Sequence, residues 1–279
     1  MKPTFLTKSN AGIHLSQSEF LVKSPSDIEK MLENHGFILI KGLPWERTDL
    51  QHYFSSLGSL VHNRQRHQDT FLELDGKMEA KEVLRGTGRM PLHRDGLMMN
   101  NNVKYIGIYC LDIDVKSGGR TYVSDTISAW KRVPQAIKTA IKDNGIEILP
   151  YDTTYYLKNE EKWYPFPGII SDRGNEMMNG GLSYHTGERR SYDIRIPKLS
   201  EDTSSEYFDI IEAIFEDPEF TYYHDWKKGD LLLLNNFSTM HGRVDSIACH
   251  HHTTDWNMSF AGRAGIGHHS TAHNRWCGH

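Results

Sequence analysis

No apolar run in this chain exceeds four residues, and the leucines 231–234 form one such run. A membrane-spanning helix needs about 20 consecutive apolar residues, so none is expected. A short apolar run bounded by turn signals is instead the mark of a buried strand. Lys228-Gly229-Asp230 supplies the turn ahead of the leucines. Phe37-Ile38-Leu39-Ile40, set between Gly36 and Gly42, reads the same way. Residues 103–111 read as a central strand, and Thr121-Tyr122-Val123 as another after a tight turn at Gly118-Gly119.

Helical periodicity appears between these strands. Ser24-Pro25-Ser26-Asp27-Ile28-Glu29 opens a helix in which Ser26 and Glu29 fit a capping box. Ile28, Met31 and Leu32 form its apolar stripe, and Gly36 stops it. A second helix follows Thr48, carries Leu50, Tyr53, Phe54 and Leu57, and ends at Gly58. Residues 128–141 are helical with a break or first turn at Pro134. Residues 204–215 place Phe208, Ile211, Ile214 and Phe215 on one side. Residues 150–199, rich in Tyr, Gly, Asn and Arg, read as long loops and short strands of the kind that lids a site. Helices flanking many short strands make one α+β domain over residues 1–245. Periodicity alone leaves open whether the strands close into a sandwich or a barrel.

Composition excludes several partners. The net charge is −4 and the pI about 6.5, with no basic run, so neither nucleic acid nor an anionic membrane is expected. The opening MKPTFLTKSNAG lacks the apolar stretch of a signal peptide. Cys110, Cys249 and Cys277 lack zinc-type spacing and are too few for a disulfide framework. A reducing cytoplasm is the expected compartment. A homo-oligomer stays open.

The residues that point to chemistry are His93-Arg94-Asp95 and, 148 residues later, His241. At a strand exit, residues i and i+2 share a face, so His93 and Asp95 can reach one ion. His241 follows a buried strand closely enough for its loop to reach the same pocket. Two imidazoles and one carboxylate form the facial set that holds non-haem Fe(II) with positions left open. With 16 histidines in the chain, a bare His-X-Asp is weak alone, and a His–Asp hydrogen bond on a surface turn is the plain alternative.

Three segments in order sharpen the reading. They are Gly88-Arg89-Met90-Pro91-Leu92-His93-Arg94-Asp95-Gly96, then Gly118-Gly119-Arg120-Thr121-Tyr122-Val123-Ser124-Asp125, then Gly229-Asp230-Leu231-Leu232-Leu233-Leu234-Asn235-Asn236 with Met240-His241-Gly242-Arg243. Together with the opening His35-Gly36-Phe37-Ile38-Leu39-Ile40-Lys41-Gly42, they resemble the taurine dioxygenase-like (TauD/TfdA) family of Fe(II)/2-oxoglutarate oxygenases. The resemblance implies a double-stranded β-helix, a distorted jelly roll with flanking helices. It makes His93, Asp95 and His241 the iron ligands and Thr121 a partner of the distal carboxylate of 2-oxoglutarate. Without the resemblance, Thr121 is a β-branched strand filler. Fe(II), 2-oxoglutarate and O2 are the implied cofactor and co-substrates, and C–H oxidation of a small molecule the implied reaction. The Pro91-to-Gly96 segment and the Tyr- and Asn-rich middle resemble the PvcB-like subgroup, which acts on tyrosine-derived isonitriles by desaturation or oxygenation. A hydroxylase of a free or carrier-bound amino acid is the alternative, and a non-catalytic metal-binding jelly roll or a damaged enzyme the reading from another class.

Such a substrate carries a carboxylate, for which Arg85, Arg89, Arg189 and Arg190 are candidate partners. Tyr105, Tyr109 and Tyr184 are candidates for an aromatic wall, and Asn100-Asn101-Asn102 for a polar contact. For each, surface charge, core packing or a polar turn is the plain alternative.

The pattern fails after His241. The family places a co-substrate arginine on the next strand, but that window reads His251-His252-Thr253-Thr254-Asp255-Trp256. Arg243 belongs to the His-Gly-Arg turn, and the nearest arginine downstream is Arg263. Eight of the 16 histidines fall between 241 and 279, and from Ser246 onward there is no Leu, Val, Tyr, Lys or Glu. Residues 246–279 are therefore a His-rich disordered tail, a divergent strand with Arg263 in the arginine's place, or an off-frame translation. The abrupt break after an intact motif favours the third. A Leu-rich strand with an arginine at the usual offset is then expected in another reading frame.

Overall fold

The computed structural model describes residues 4–60, 88–99, 103–112, 119–151, 153, 156, 158–186, 189–244 and 254–256. The N-terminal third provides β1 (Ile13–Leu15), α1 (Gln17–Leu21), α2 (Pro25–His35), β2 (Phe37–Ile40), α3 (Arg47–Leu57), β3 (Met90–His93) and β4 (Tyr105–Tyr109). The middle provides β5 (Thr121–Asp125), α4 (Thr126–Arg132), α5 (Gln135–Asn144), β6 (Ile146–Pro150), β7 (Tyr164–Phe166), β8 (Ile169–Asp172), β9 (Asn175–Met178), β10 (Tyr184–Thr186) and β11 (Arg189–Arg195). The last part provides α6 (Glu201–Phe215), β12 (Thr221–His224), β13 (Leu231–Asn235), β14 (Thr239–Arg243) and β15 (Thr254–Trp256).

Two sheets frame the site. The first runs β1-β2-β13-β4-β15 and is antiparallel except for β1 against β2. The second, β12-β5-β14-β3, is antiparallel throughout. The four leucines of β13 show why its run is continuous. Successive strand residues face opposite sides, and both sides of β13 are buried. Leu231 and Leu233 join Ile28, Leu32, Leu50 and Phe54 of α2 and α3. Leu232 and Leu234 join Phe37, Leu39, Ile106 and Ile108 from the same sheet, Val123 from the second, and Trp226 from the segment after β12. That second cluster fills the space between the two sheets. The outer face of the second sheet, with Tyr122 and Met240, packs on Trp130 of α4 and on Phe208, Ile211 and Phe215 of α6. A third sheet, β10-β11-β6-β7, and the hairpin β8-β9 complete the fold.

Local details depart from expectation. The α2 N-cap is Ser24, whose hydroxyl accepts from the Asp27 N–H in a reciprocal box, not Ser26 with Glu29. Pro25, with no N–H to satisfy, takes the first turn and sets the start there. Val133 and Pro134 separate α4 from α5, as the proline predicts. His241 and Arg243 lie in a strand and not in a loop or turn. Tyr105 and Tyr109 face α2 and α3: the Tyr105 hydroxyl reaches Glu29 at 3.2 Å, and that of Tyr109 donates to the carbonyls of Leu43 and Trp45 at 2.7 and 2.9 Å. In the tail, residues 254–256 pair with β4 at the edge of the first sheet. Arg263, Arg85, Gly118 and Asn100-Asn101-Asn102 lie outside the described residues. No described helix is long and apolar enough to cross a membrane.

Candidate metal centre

Strand pairing brings the distant motifs together. His241, central in β14, pairs with His93 at the end of β3 and with Val123 of β5. Because Met240 faces the helices, His241 faces the space between the sheets. Beyond His93 the chain turns, with Gly96 at φ 82°, and Asp95 comes round to both imidazoles. One ligand atom from each of His93, Asp95 and His241 lies within 4.8 Å of the others. His93 Nε2 is 3.3 Å and His241 Nε2 4.0 Å from Asp95 Oδ1, and the two rings are 4.4 Å apart.

The donor chemistry suits a cation. His93 Nδ1 is 2.9 Å from the Pro91 carbonyl, which can only accept, so Nδ1 carries the hydrogen. With a second hydrogen on Nε2, His93 is an imidazolium that donates to the Asp95 carboxylate; without it the Nε2 lone pair faces the carboxylate, and a metal ion between them takes the place of that proton. Asp95 Oδ2 is buried and lacks any hydrogen-bond partner among the described residues. Burial opposes the Asp95 carboxylate, but the hydrogen bond from His93 and the charges of His241 and His93 outweigh it and hold its pKa below the usual carboxylate range. His241 is pushed down to about 4, by burial first and by His93 second, against the attraction of Asp95. Near neutral pH the site thus offers a carboxylate and the neutral His241 imidazole, the protonation states a metal ion requires.

The other candidates are distributed unevenly. Thr121 is buried on β5, opposite Arg243 and His224 and two residues from Val123, the partner of His241. Its hydroxyl accepts from the Trp226 indole N–H at 2.9 Å. Arg89 is 2.5 Å from Glu212 of α6 and from Glu216, the residue at its C-cap. Arg190 is an exposed residue of β11, 3.4 Å from the Tyr151 hydroxyl and 3.8 Å from Asp193. Arg189 lies in β11. Tyr184 is buried edge-on to Tyr192 in the cluster that holds Leu92 and Met98.

Gly181, which the sequence did not single out, bridges to His93. A Cβ at Gly181 would lie 2.7 Å from the Tyr192 hydroxyl and 3.0 Å from His93 Cβ. Gly181→Ala should therefore move Tyr192 or His93 and lower stability by about 1–3 kcal/mol, the usual penalty of overpacking. A chemical denaturation curve matching that of the wild type rules this out.

A model of the taurine catabolism dioxygenase TauD, TfdA family matches residues 2–254. The chain belongs to this family. A 3-((Z)-2-isocyanoethenyl)-1H-indole synthase of Fischerella ambigua (strain UTEX 1903) is 23% identical over 215 residues, covering 75% of this chain and 76% of that protein. The fold is shared with PvcB from Pseudomonas aeruginosa, at a TM-score of 0.70 and 15% identity over 93% of this chain and 91% of PvcB. A further PvcB structure is described as an Fe, alpha-ketoglutarate dependent oxygenase from an isonitrile synthetic pathway, with a TM-score of 0.68 and 16% identity over the same shares. AAD-2 in complex with Mn(II) and N-oxalylglycine has a TM-score of 0.70 and 13% identity over 96% of this chain and all of AAD-2.

Proposed function

We propose that the chain is an Fe(II)/2-oxoglutarate-dependent oxygenase in which His93, Asp95 and His241 hold the iron. The observation that carries this is the convergence of three ligand atoms around a buried carboxylate oxygen that has no partner among the described residues. Bound iron, with 2-oxoglutarate and O2, supplies an oxidant for an unactivated C–H bond and leaves succinate and CO2. The protein supplies placement and dryness. The Pro91 carbonyl fixes the His93 tautomer, Asp95 supplies the negative charge, and apolar residues between the two sheets keep water away. The two sheets are the walls of a double-stranded β-helix. Thr121, its oxygen already accepting from Trp226, has its own hydrogen to donate to a carboxylate, which fits the distal end of 2-oxoglutarate.

The substrate we favour is an isonitrile derived from an aromatic amino acid. The names of the Fischerella relative and of PvcB support this class, and so does Tyr192, whose hydroxyl lies beside Gly181 next to His93 and whose ring meets those of Tyr156 and Tyr184. Loss of two hydrogens from a tyrosine-derived isonitrile is the expected outcome, and product mass separates it from gain of one oxygen.

Anaerobic addition of Fe(II) and then 2-oxoglutarate should produce the weak visible charge-transfer band of the chelate. Tight iron binding without that band would instead make the chain a non-catalytic metal-binding member of the family.

A further inference from the structure

The turn that carries Asp95 is held by a side chain outside the ligand set. Asn236, 1% exposed, follows β13 directly. Its Oδ1 accepts from the Asp95 N–H at 3.0 Å, and its Nδ2 donates to the Asp95 carbonyl at 3.1 Å and to the Val103 carbonyl at 2.9 Å. Both backbone polar groups of Asp95 are thus paired by one amide, just where β3 has ended and ladder bonding with it.

The backbone of Asn236 is fixed in turn. Its N–H donates to the Lys104 carbonyl at 2.9 Å, and its carbonyl accepts from Arg94 Nε at 2.7 Å. Arg94 also donates to Asn179 Oδ1 at 2.6 Å and lies over the Phe237 ring at 4.9 Å. Asn179 donates to the Pro167 carbonyl at 2.8 Å, and the Arg94 N–H reaches the Gly180 carbonyl at 3.3 Å. Residues 93–95 are therefore stitched to the end of β13 on one side and to the segment after β9 on the other.

We infer that Asn236 is a positioning residue for the metal centre, setting the Asp95 carboxylate through its backbone, with Arg94 and Asn179 as its support. The inference rests on the metal reading proposed above. One Asp95 oxygen has no protein partner among the described residues, so the carboxylate is directed by the backbone together with the His93 and His241 contacts of its other oxygen. A carboxylate whose backbone could swing would turn toward water, because an unpaired buried oxygen is costly. Removing the amide should loosen the ligand without touching it.

The neighbouring amide provides the control. Asn235 is equally buried, yet its side chain bonds the Phe237 N–H at 3.0 Å and the Leu32 carbonyl at 3.5 Å, with no bond to Asp95. The experiment is anaerobic titration of the full-length chain with Co(II) or Fe(II) alone, followed by calorimetry and by the Co(II) absorption spectrum. Loss of an outer-shell partner typically weakens metal binding about 10–100-fold. That loss, with an altered Co(II) spectrum, is expected for Asn236→Ala and not for Asn235→Ala. Asn236→Ser, which gives up less volume, takes its place if the alanine variant does not fold. Equal affinities and spectra for the wild type and the Asn236 variant overturn the inference alone, as does an equal loss in Asn235→Ala. A wild-type chain that takes up no metal overturns the metal reading and the inference together.

Discussion

Asp95→Ala is expected to abolish iron uptake while leaving the metal-free protein close to the wild type in stability. The two halves come from one fact. Asp95 is the only charged ligand, and its carboxylate sits beside two imidazoles with one oxygen unpartnered among the described residues. Metal binding needs that charge. The metal-free fold gains little from it on balance, since the contacts of His93 and His241 with one oxygen are offset by the other oxygen, buried without a partner among the described residues at a cost of about 1–3 kcal/mol. A ligand that binds only the native state raises the melting temperature, by an amount that grows with the logarithm of its concentration over Kd. Adding Fe(II) without oxygen should therefore raise the melting temperature of the wild type and leave that of Asp95→Ala unmoved. A large fall in the stability of metal-free Asp95→Ala would show that the carboxylate is a structural group, and would remove the main physical argument for a metal there.

The same stability logic explains which parts of the molecule were legible in the sequence. Where a segment serves packing alone, pattern and structure agree. Phe37-Ile38-Leu39-Ile40 and the leucines 231–234 read as buried strands and are so, on both faces. Gly36, Gly58 and Pro134 mark helix limits that the structure keeps. Where a strand carries the site, its pattern is lost. Thr239–Arg243 has no apolar alternation, because its inward face presents His241 and Arg243 and its outward face includes Gly242. Gly242 is small for a reason: a Cβ there would lie 2.5 Å from the Met90 carbonyl oxygen. The strand therefore looks like a loop in sequence.

Site residues show a similar division. The His-X-Asp spacing and the ordered segments point to His93, Asp95 and His241, and the structure brings all three together. Tyr105 and Tyr109 were poor candidates because alternation along β4 sends both toward α2 and α3. Asn236 and Gly181 carry no spacing signal of their own, since each matters only through what lies across the fold from it. A pair of amides directly after an apolar strand was the one local sign, because buried amides at a strand end must find partners.

Thr121→Val is expected to weaken 2-oxoglutarate binding by about 10–100-fold while iron affinity stays at the wild-type level. Valine keeps the β-branched shape that β5 needs and removes only the hydroxyl. Two losses follow, of which the first lowers affinity and the second lowers the stability of the free and the bound protein alike. The co-substrate carboxylate forfeits a hydrogen bond, and the Trp226 indole N–H, which donates to Thr121 at 2.9 Å, is left without that acceptor in a buried place. Charge-linked hydrogen bonds contribute about 1.5–3 kcal/mol, and each 1.4 kcal/mol is about tenfold in affinity. Trp226→Phe removes that N–H and keeps the hydroxyl. It frees the Thr121 hydroxyl to turn away from the carboxylate, so it should weaken 2-oxoglutarate binding less than Thr121→Val does. Titrating 2-oxoglutarate into the iron-loaded protein under anaerobic conditions, followed by the charge-transfer band, measures both. If Thr121→Val binds 2-oxoglutarate as the wild type does, Thr121 only fills its strand, and the distal carboxylate is held elsewhere in the chain.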